Sequence, residues 1–306
     1  MSRIHEALRR AEHEKSKGAH PAATQPPAAE PVAAAPAVAP AAPAAAPVAA
    51  SAAAAAPAVA PTPVAAPAPD APAQTAASSL LEACRRTHWH EDPAKLFFLS
   101  AKGHPAATEQ LRTLRSRLYL ARETRPLKTV LVTSAMPGEG KTFVCTNLAY
   151  AFSRQSDRRV LLVDADLRAP AIHTLLGAPA EPGLSSYLQG GVSVEKILQR
   201  SPHENFYFIP AGKPPSNPSE LVAGRKLKAL LAQLAPLFDW ILLDSPAAGP
   251  VSDALRLADF CDGVLLVVQG GKTPYDVAQS VTRELREKRL LGVVLNRTEG
   301  PDTSAS

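Results

Sequence analysis

The chain has 306 residues, 33 Lys and Arg against 28 Asp and Glu, and a formal net charge of +5, with 46% hydrophobic but only 5% aromatic residues. That length holds one sizeable core and an appendage, and the modest charge excludes a dedicated nucleic-acid binder, which needs a clustered basic surface interleaved with aromatics. Cys84, Cys145 and Cys261 are odd in number and widely spaced, which suits a reducing cytoplasm and excludes a disulfide framework.

In residues 1–18, Ile4, Leu8 and Ala11 recur at helical spacing among the alternating charges of Arg3 to Lys17. This predicts a short N-terminal amphipathic helix that docks on a partner protein or a membrane surface. Its first residues are charged throughout, so no signal peptide is expected. Residues 19–78 are almost entirely alanine, proline and valine, hold nearly half of the 31 prolines, and carry no Lys or Arg and only Glu30 and Asp70 as acids. Such a stretch buries too little area to offset chain entropy, which predicts a disordered linker. Prolines every few residues would leave carbonyls unpaired in lipid, so it is not read as a membrane span.

Residues 79–126 form a lead-in that ends in an arginine-rich helix with Arg112, Arg115, Arg117, Arg122 and Arg125. His88-Trp89-His90 lie near Cys84, but without a second liganding cluster at metal spacing they are not read as a zinc site. From 127 to 297 apolar runs alternate with amphipathic ones. Strands are expected at Thr129 to Ser134, Val160 to Asp164, Phe206 to Ile209, Trp240 to Asp244, Val264 to Val268 and Val293 to Leu295. Helices are expected between them, for instance at Ser219 to Leu234 and Pro274 to Lys288. This alternation predicts an α/β domain whose mostly parallel sheet is covered by helices on both faces. Residues 298–306 are expected to be a flexible tail.

Three segments of that domain carry chemistry. Thr133-Ser134-Ala135-Met136-Pro137-Gly138-Glu139-Gly140-Lys141-Thr142 reads as strand, phosphate loop, helix, and it makes the fold P-loop NTPase-like. Gly138 and Gly140 let successive N–H groups point inward at phosphate oxygens, and the helix from Lys141 aims its positive end there. Ala135 stands where the usual first glycine would be. Pro137, Gly138, Glu139, Gly140, Lys141 and Thr142 are therefore the candidate nucleotide cradle, with Lys141 reaching the β and γ phosphates and Thr142 on Mg²⁺. The apolar runs Val160 to Asp164 and Trp240 to Asp244 end abruptly in aspartates, with Asp166 two residues on. Buried parallel strands end this way at a ligand crevice, and hard carboxylate oxygens are what Mg²⁺ prefers.

The loop Ala135 to Thr142, the segment Val163 to Pro170 and the segment Leu242 to Pro246 resemble the Walker A, Walker A′ and Walker B motifs of the bacterial tyrosine kinases of capsule and exopolysaccharide export. Glu109, Arg112 and Arg115 match that family's Glu-x-x-Arg-x-x-Arg element, which implies a homo-oligomer through these residues. Asn217-Pro218-Ser219-Glu220-Leu221, Pro250-Val251-Ser252-Asp253-Ala254 and Leu291 to Arg297 are similar to it as well. The resemblance, from about Leu96 to Arg297, implies an ATP- and Mg²⁺-dependent protein-tyrosine kinase. It also implies a tyrosine-bearing protein substrate, a membrane polysaccharide co-polymerase or chain-length regulator as partner, and a cytoplasmic location at the inner membrane through that partner. Within it Lys141 serves the phosphates, Asp164 orients or deprotonates the acceptor hydroxyl, and Asp166 and Asp244 with Thr142 hold the metal or its waters. Asn296 is a candidate for reading the adenine edge. Arg168 either faces phosphate or forms a surface salt bridge.

The tail Thr298 to Ser306 has no tyrosine, whereas many members carry a tyrosine cluster there. The expected acceptor is therefore another protein or one of Tyr119, Tyr150, Tyr187, Tyr207 and Tyr275. Two alternatives follow: a non-catalytic ATP-dependent switch or scaffold of polysaccharide assembly, and a partition or positioning ATPase. The latter carries an extra lysine early in the loop, where this chain has Ser134, Ala135 and Met136.

Overall fold

The computed structural model describes residues 79–99, 105–203, 205–249 and 252–298. The expectations for residues 1–18 and 19–78, and for the tail after Thr298, lie outside the described residues.

Five apolar runs, four of them chiefly aliphatic and one, Phe206–Ile209, chiefly aromatic, make the centre of the fold. They are β2 (Thr129–Ser134), β3 (Val160–Asp164), β5 (Phe206–Ile209), β6 (Trp240–Asp244) and β7 (Gly263–Gln269), each buried along almost its whole length. Strands without an alternating polar face need cover on both sides, which is the signature of a parallel sheet between helical layers. With β1 (Arg85–Arg86), β4 (Gln199–Arg200) and β8 (Leu290–Asn296) the sheet has eight strands in the order β1-β4-β5-β3-β6-β2-β7-β8. The stretch from β5 to β8 is parallel throughout, while β4 runs antiparallel to β5 and β1 runs parallel to β4.

Successive side chains of each strand feed two cores. Leu131, Leu161, Val163, Leu243 and Leu266 pack against one helical layer. It comprises α4 (Leu184–Leu188), α5 (Val194–Ile197), α6 (Pro218–Ala223), α7 (Arg225–Leu234), α8 (Asp253–Ala258) and α9 (Tyr275–Arg286). Val130, Val132, Val160, Leu162 and Leu242 pack on the other face. That layer holds α1 (Pro105–Thr124), α2 (Lys141–Ser153) and α3 (Ile172–Leu176). Helix α2 is buried all round from Val144 to Phe152, because the sheet lies on one side, α1 on another, and the lead-in on a third. Asn147 of α2 grips that lead-in: its Oδ1 accepts from the Phe97 N–H at 3.0 Å and its Nδ2 donates to the Lys95 carbonyl at 3.1 Å.

Two expectations shift. The helix expected over Ser219 to Leu234 is two helices, because Gly224 takes an extended conformation (φ −73°, ψ 153°) between α6 and α7. The lead-in also contributes strand β1, and Leu80, Leu81 and Cys84 join a core. Among the described residues no helix is long and apolar enough to cross a membrane.

Candidate functional site

Strand order creates the site. β6 sits between β2 and β3, with Asp244 in register with Asp164 on one side and Val132 on the other. The carboxyl ends of these three neighbouring strands therefore open at one place, and the phosphate loop leaves β2 there. Ser245, Pro246 and Ala248, following β6, lie against β2 and fix the floor: the Ser245 N–H donates to the Val132 carbonyl at 3.2 Å and the Ala248 N–H to that of Ser134 at 2.8 Å.

The loop depends on two glycines in the left-handed region, Gly138 at φ +83° and Gly140 at φ +91°. Gly140 is the residue before α2, and a β-carbon there would stand 2.2 Å from Asn296 Nδ2. That amide donates to the Glu139 carbonyl at 2.8 Å. The Glu139 side chain, 3% exposed, turns inward. It accepts the Met136 N–H at 2.7 Å and the Thr273 hydroxyl. Arg297 Nη1 donates to the Gly138 carbonyl at 3.2 Å. Segments after β7 and β8 thus brace the loop. Thr273 carried no signal in the sequence, and Arg297 was legible only as part of a matched phrase.

At the start of α2, Lys141 Nζ lies 3.0 Å from Asp166 Oδ2 and 3.9 Å from Asp244 Oδ2. The Thr142 hydroxyl donates to Asp244 Oδ2 at 2.6 Å. Burial disfavours the charge of Lys141, but the carboxylates of Asp244 and Asp166 outweigh it and hold the ammonium above its usual range. Asp164 is fully buried. Its Oδ2 accepts N–H bonds from Ala171 and Ile172 at 3.2 and 3.1 Å, and its Oδ1 accepts from Asp166. Burial first, and the charge of Asp244 next, push its carboxyl up to about 8. Asp244 is also raised, to about 6, by burial, with Lys141 and Thr142 opposing.

Lys141, Thr142, Asp164, Asp166 and Asp244 thus meet around one point. Asp244 Oδ1 is buried and accepts no hydrogen bond from any described group. A buried carboxylate oxygen left without a donor is costly, and beside the Thr142 hydroxyl and Asp166 it completes an oxygen-only donor set of the kind Mg²⁺ takes. Arg168 turns away from this point. Its Nε pairs with Asp253 Oδ2 at 2.7 Å and its Nη2 donates to Ser219 Oγ at 2.7 Å.

Of the expected subunit contacts, Arg112 and Glu109 pair on the exposed face of α1 at 3.2 Å. Arg115 instead donates to the Ala151 carbonyl near the end of α2, inside the same chain.

Residues 130–306 match the CobQ/CobB/MinD/ParA nucleotide binding domain. The tyrosine-protein kinase YwqD of Bacillus subtilis (strain 168) is 36% identical over 191 residues, 62% of this chain and 80% of that protein. The tyrosine-protein kinase etk of Escherichia coli (strain K12) is 36% identical over 193 residues, 62% of this chain but only 26% of that longer protein. The solved kinase domain of etk superposes with a TM-score of 0.59 at 31% identity, covering 65% of this chain and 80% of that one. The chimerical protein CapA2B2 does so with a TM-score of 0.64 at 27% identity, covering 74% and 99%. Other curated relatives, such as the tyrosine-protein kinase wzc of Salmonella typhimurium (strain LT2), are likewise matched over about a quarter of their length. A phosphate loop braced by its neighbours, three aspartates at adjoining strand ends and these likenesses agree: the chain belongs to the MinD/ParA-type nucleotide-binding family and, within it, to the bacterial tyrosine-protein kinases.

Proposed function

We propose that this chain transfers the γ-phosphoryl group of ATP to protein tyrosine, and that it does so with a membrane chain-length regulator of exopolysaccharide or capsule export. The observation that carries the reading is the contact of Lys141 with Asp166 and of Thr142 with Asp244 under a braced phosphate loop. Phosphoryl transfer needs mainly positioning and neutralisation of charge. Lys141 turns from Asp166 to the β and γ phosphates, and the loop amides and the start of α2 cradle them. Thr142 and Asp244 would hold the metal, and Asp166 its water shell. When bound, Mg²⁺ would supply neutralisation of the phosphate charge. Asp164 takes the role of orienting or deprotonating the tyrosine hydroxyl, which needs its ionised form, the form that burial disfavours in the metal-free chain.

Asn296 gives a reason for adenine. Its Nδ2 is committed to the Glu139 carbonyl, which leaves Oδ1 as an acceptor. An acceptor pairs with the exocyclic amino group of adenine and repels the O6 of guanine.

Acceptors within this sequence are narrowed by burial. Tyr150 and Tyr207 are buried, and the Tyr119 hydroxyl donates to Gln155. Tyr119, Tyr187 and Tyr275 are part-exposed, and the Tyr275 hydroxyl accepts from Gln279, so phosphate placed on this chain belongs on one of these three. The test is mass spectrometry of phosphotyrosine after incubating the chain with Mg·ATP, with and without the cytoplasmic part of the membrane partner. Phosphotyrosine is expected from the intact protein and none from Lys141→Met, which also loses ATP binding. ATP binding without phosphotyrosine on any candidate would favour a switch, and hydrolysis stimulated by DNA or lipid would favour a partition ATPase.

A further inference from the structure

We infer that Arg168, Asp253 and Ser219 form a positioning clamp that holds Asp166 ready for the metal, so that three sequence phrases with no part in the nucleotide cradle act on the metal from outside it. The inference rests on the reading of Lys141, Thr142, Asp166 and Asp244 as the Mg·ATP site.

The clamp is a closed ring of hydrogen bonds. Arg168 Nε meets Asp253 Oδ2 at 2.7 Å, Arg168 Nη2 meets Ser219 Oγ at 2.7 Å, and the Ser219 hydroxyl donates to Asp253 Oδ1 at 2.6 Å. Both oxygens of Asp253 are used, and its side chain is only 2% exposed, against 41% for Arg168. A carboxylate that deeply buried is tolerated only with a partner of opposite charge and satisfied lone pairs. Arg168 supplies the charge from the loop after β3, while Ser219 comes from α6 and Asp253 opens α8. The three elements are joined at one point.

The other end of the same short loop is Asp166. Its Oδ1 accepts the backbone N–H groups of Arg168 and Ala169 at 3.3 and 3.0 Å, and its Oδ2 pairs with Lys141. A side chain at 168 anchored to the helical layer therefore holds the two amides that orient the carboxylate at 166. Outer-shell partners that orient a metal-site carboxylate characteristically change metal affinity when removed. Among the described residues no hydrogen bond joins the ring to the phosphate loop, so the effect falls on the metal and not on the nucleotide.

The experiment uses the full chain and its Arg168→Gln, Asp253→Asn and Ser219→Ala variants, with thermal unfolding to check that each folds; Ser219→Ala is the mildest change. Hydrogen exchange at the amides of Arg168 and Ala169 is measured in metal-free protein, and binding of a fluorescent ATP analogue is titrated with Mg²⁺. Faster exchange at those amides is expected, together with a rise of about 10-fold in the Mg²⁺ concentration for half-maximal binding and a change below about twofold in analogue affinity at saturating Mg²⁺. Unaltered Mg²⁺ dependence in a folded variant overturns the proposal. So does an equal loss of analogue affinity at saturating Mg²⁺, which would mark a purely structural role. Should the unaltered chain bind no analogue at any Mg²⁺ concentration, the function proposed above fails and the metal effect with it; the exchange arm, which needs no ligand, then decides the clamp alone, and unchanged exchange overturns it.

Discussion

Gly138 and Gly140 share a left-handed backbone, yet only Gly140 is also hemmed in, by the Asn296 amide 2.2 Å from where a β-carbon would stand. Holding a non-glycine residue in that conformation costs about 1–3 kcal/mol. Gly138→Ala should carry that cost alone, whereas Gly140→Ala should add displacement of Asn296 from the loop. Denaturant midpoints and ATP affinity should therefore fall further for Gly140→Ala, and equal effects would mean that Asn296 does not brace the loop. The paired carboxyls of Asp164 and Asp244 make a second prediction. Both lie above their unfolded value, at about 8 and about 6, so the folded metal-free protein binds more protons than the unfolded chain between roughly pH 4 and 8. Stability from this pair is then greatest at the acid end of the window and declines as pH rises through it. Urea midpoints of the metal-free protein should drop between pH 5.5 and 8, and Asp164→Asn should flatten the slope. A midpoint that climbs with pH and ignores that substitution would refute the assignment.

At the level of elements, α1 presents two faces. Its exposed Glu109–Arg112 pair stands where a neighbouring subunit can reach it, while Arg115 caps the carboxyl end of α2 through the Ala151 carbonyl. A cation there also complements the negative end of the helix dipole. Arg112→Ala should reduce oligomers in sedimentation while leaving nucleotide affinity and unfolding midpoints unchanged. Arg115→Ala should instead destabilise the chain by about 1–3 kcal/mol through the lost charged hydrogen bond. Identical behaviour of the two variants would remove this distinction. The division of the helix expected at Ser219 to Leu234 has the same kind of logic. Gly224 frees α6 from the axis of α7, so that Ser219 can face Asp253 while Leu227, Leu230, Leu231 and Leu234 face the sheet.

On the scale of the whole molecule, the lead-in belongs to the folded domain. Leu96 is fully buried, Trp89 meets Phe206 and Phe208 edge-on at 5.6 and 6.0 Å, and Glu91 binds both the Tyr150 hydroxyl and His203. Leu96→Ala should cost about 2–5 kcal/mol, the range for emptying a packed leucine site, read from denaturant unfolding; a loss under about 0.5 kcal/mol, the scale of a surface change, would show the lead-in to be peripheral. Residues alone determined a good deal: continuous apolar runs required doubly covered parallel strands, glycines before Lys141 required a phosphate loop, and run ends at Asp164 and Asp244 located the carboxylates. Those features are local, because burial of a run and the backbone needs of a tight loop are written in neighbouring residues. Contacts across the chain were decided only by the tertiary structure: the insertion of β6 between β2 and β3, the Glu139 to Thr273 brace, the inward turn of Arg115 and the Arg168–Asp253–Ser219 ring. Each joins residues tens of positions apart or more, and hydrogen-bond geometry between such groups exists only once the sheet order has brought their elements together.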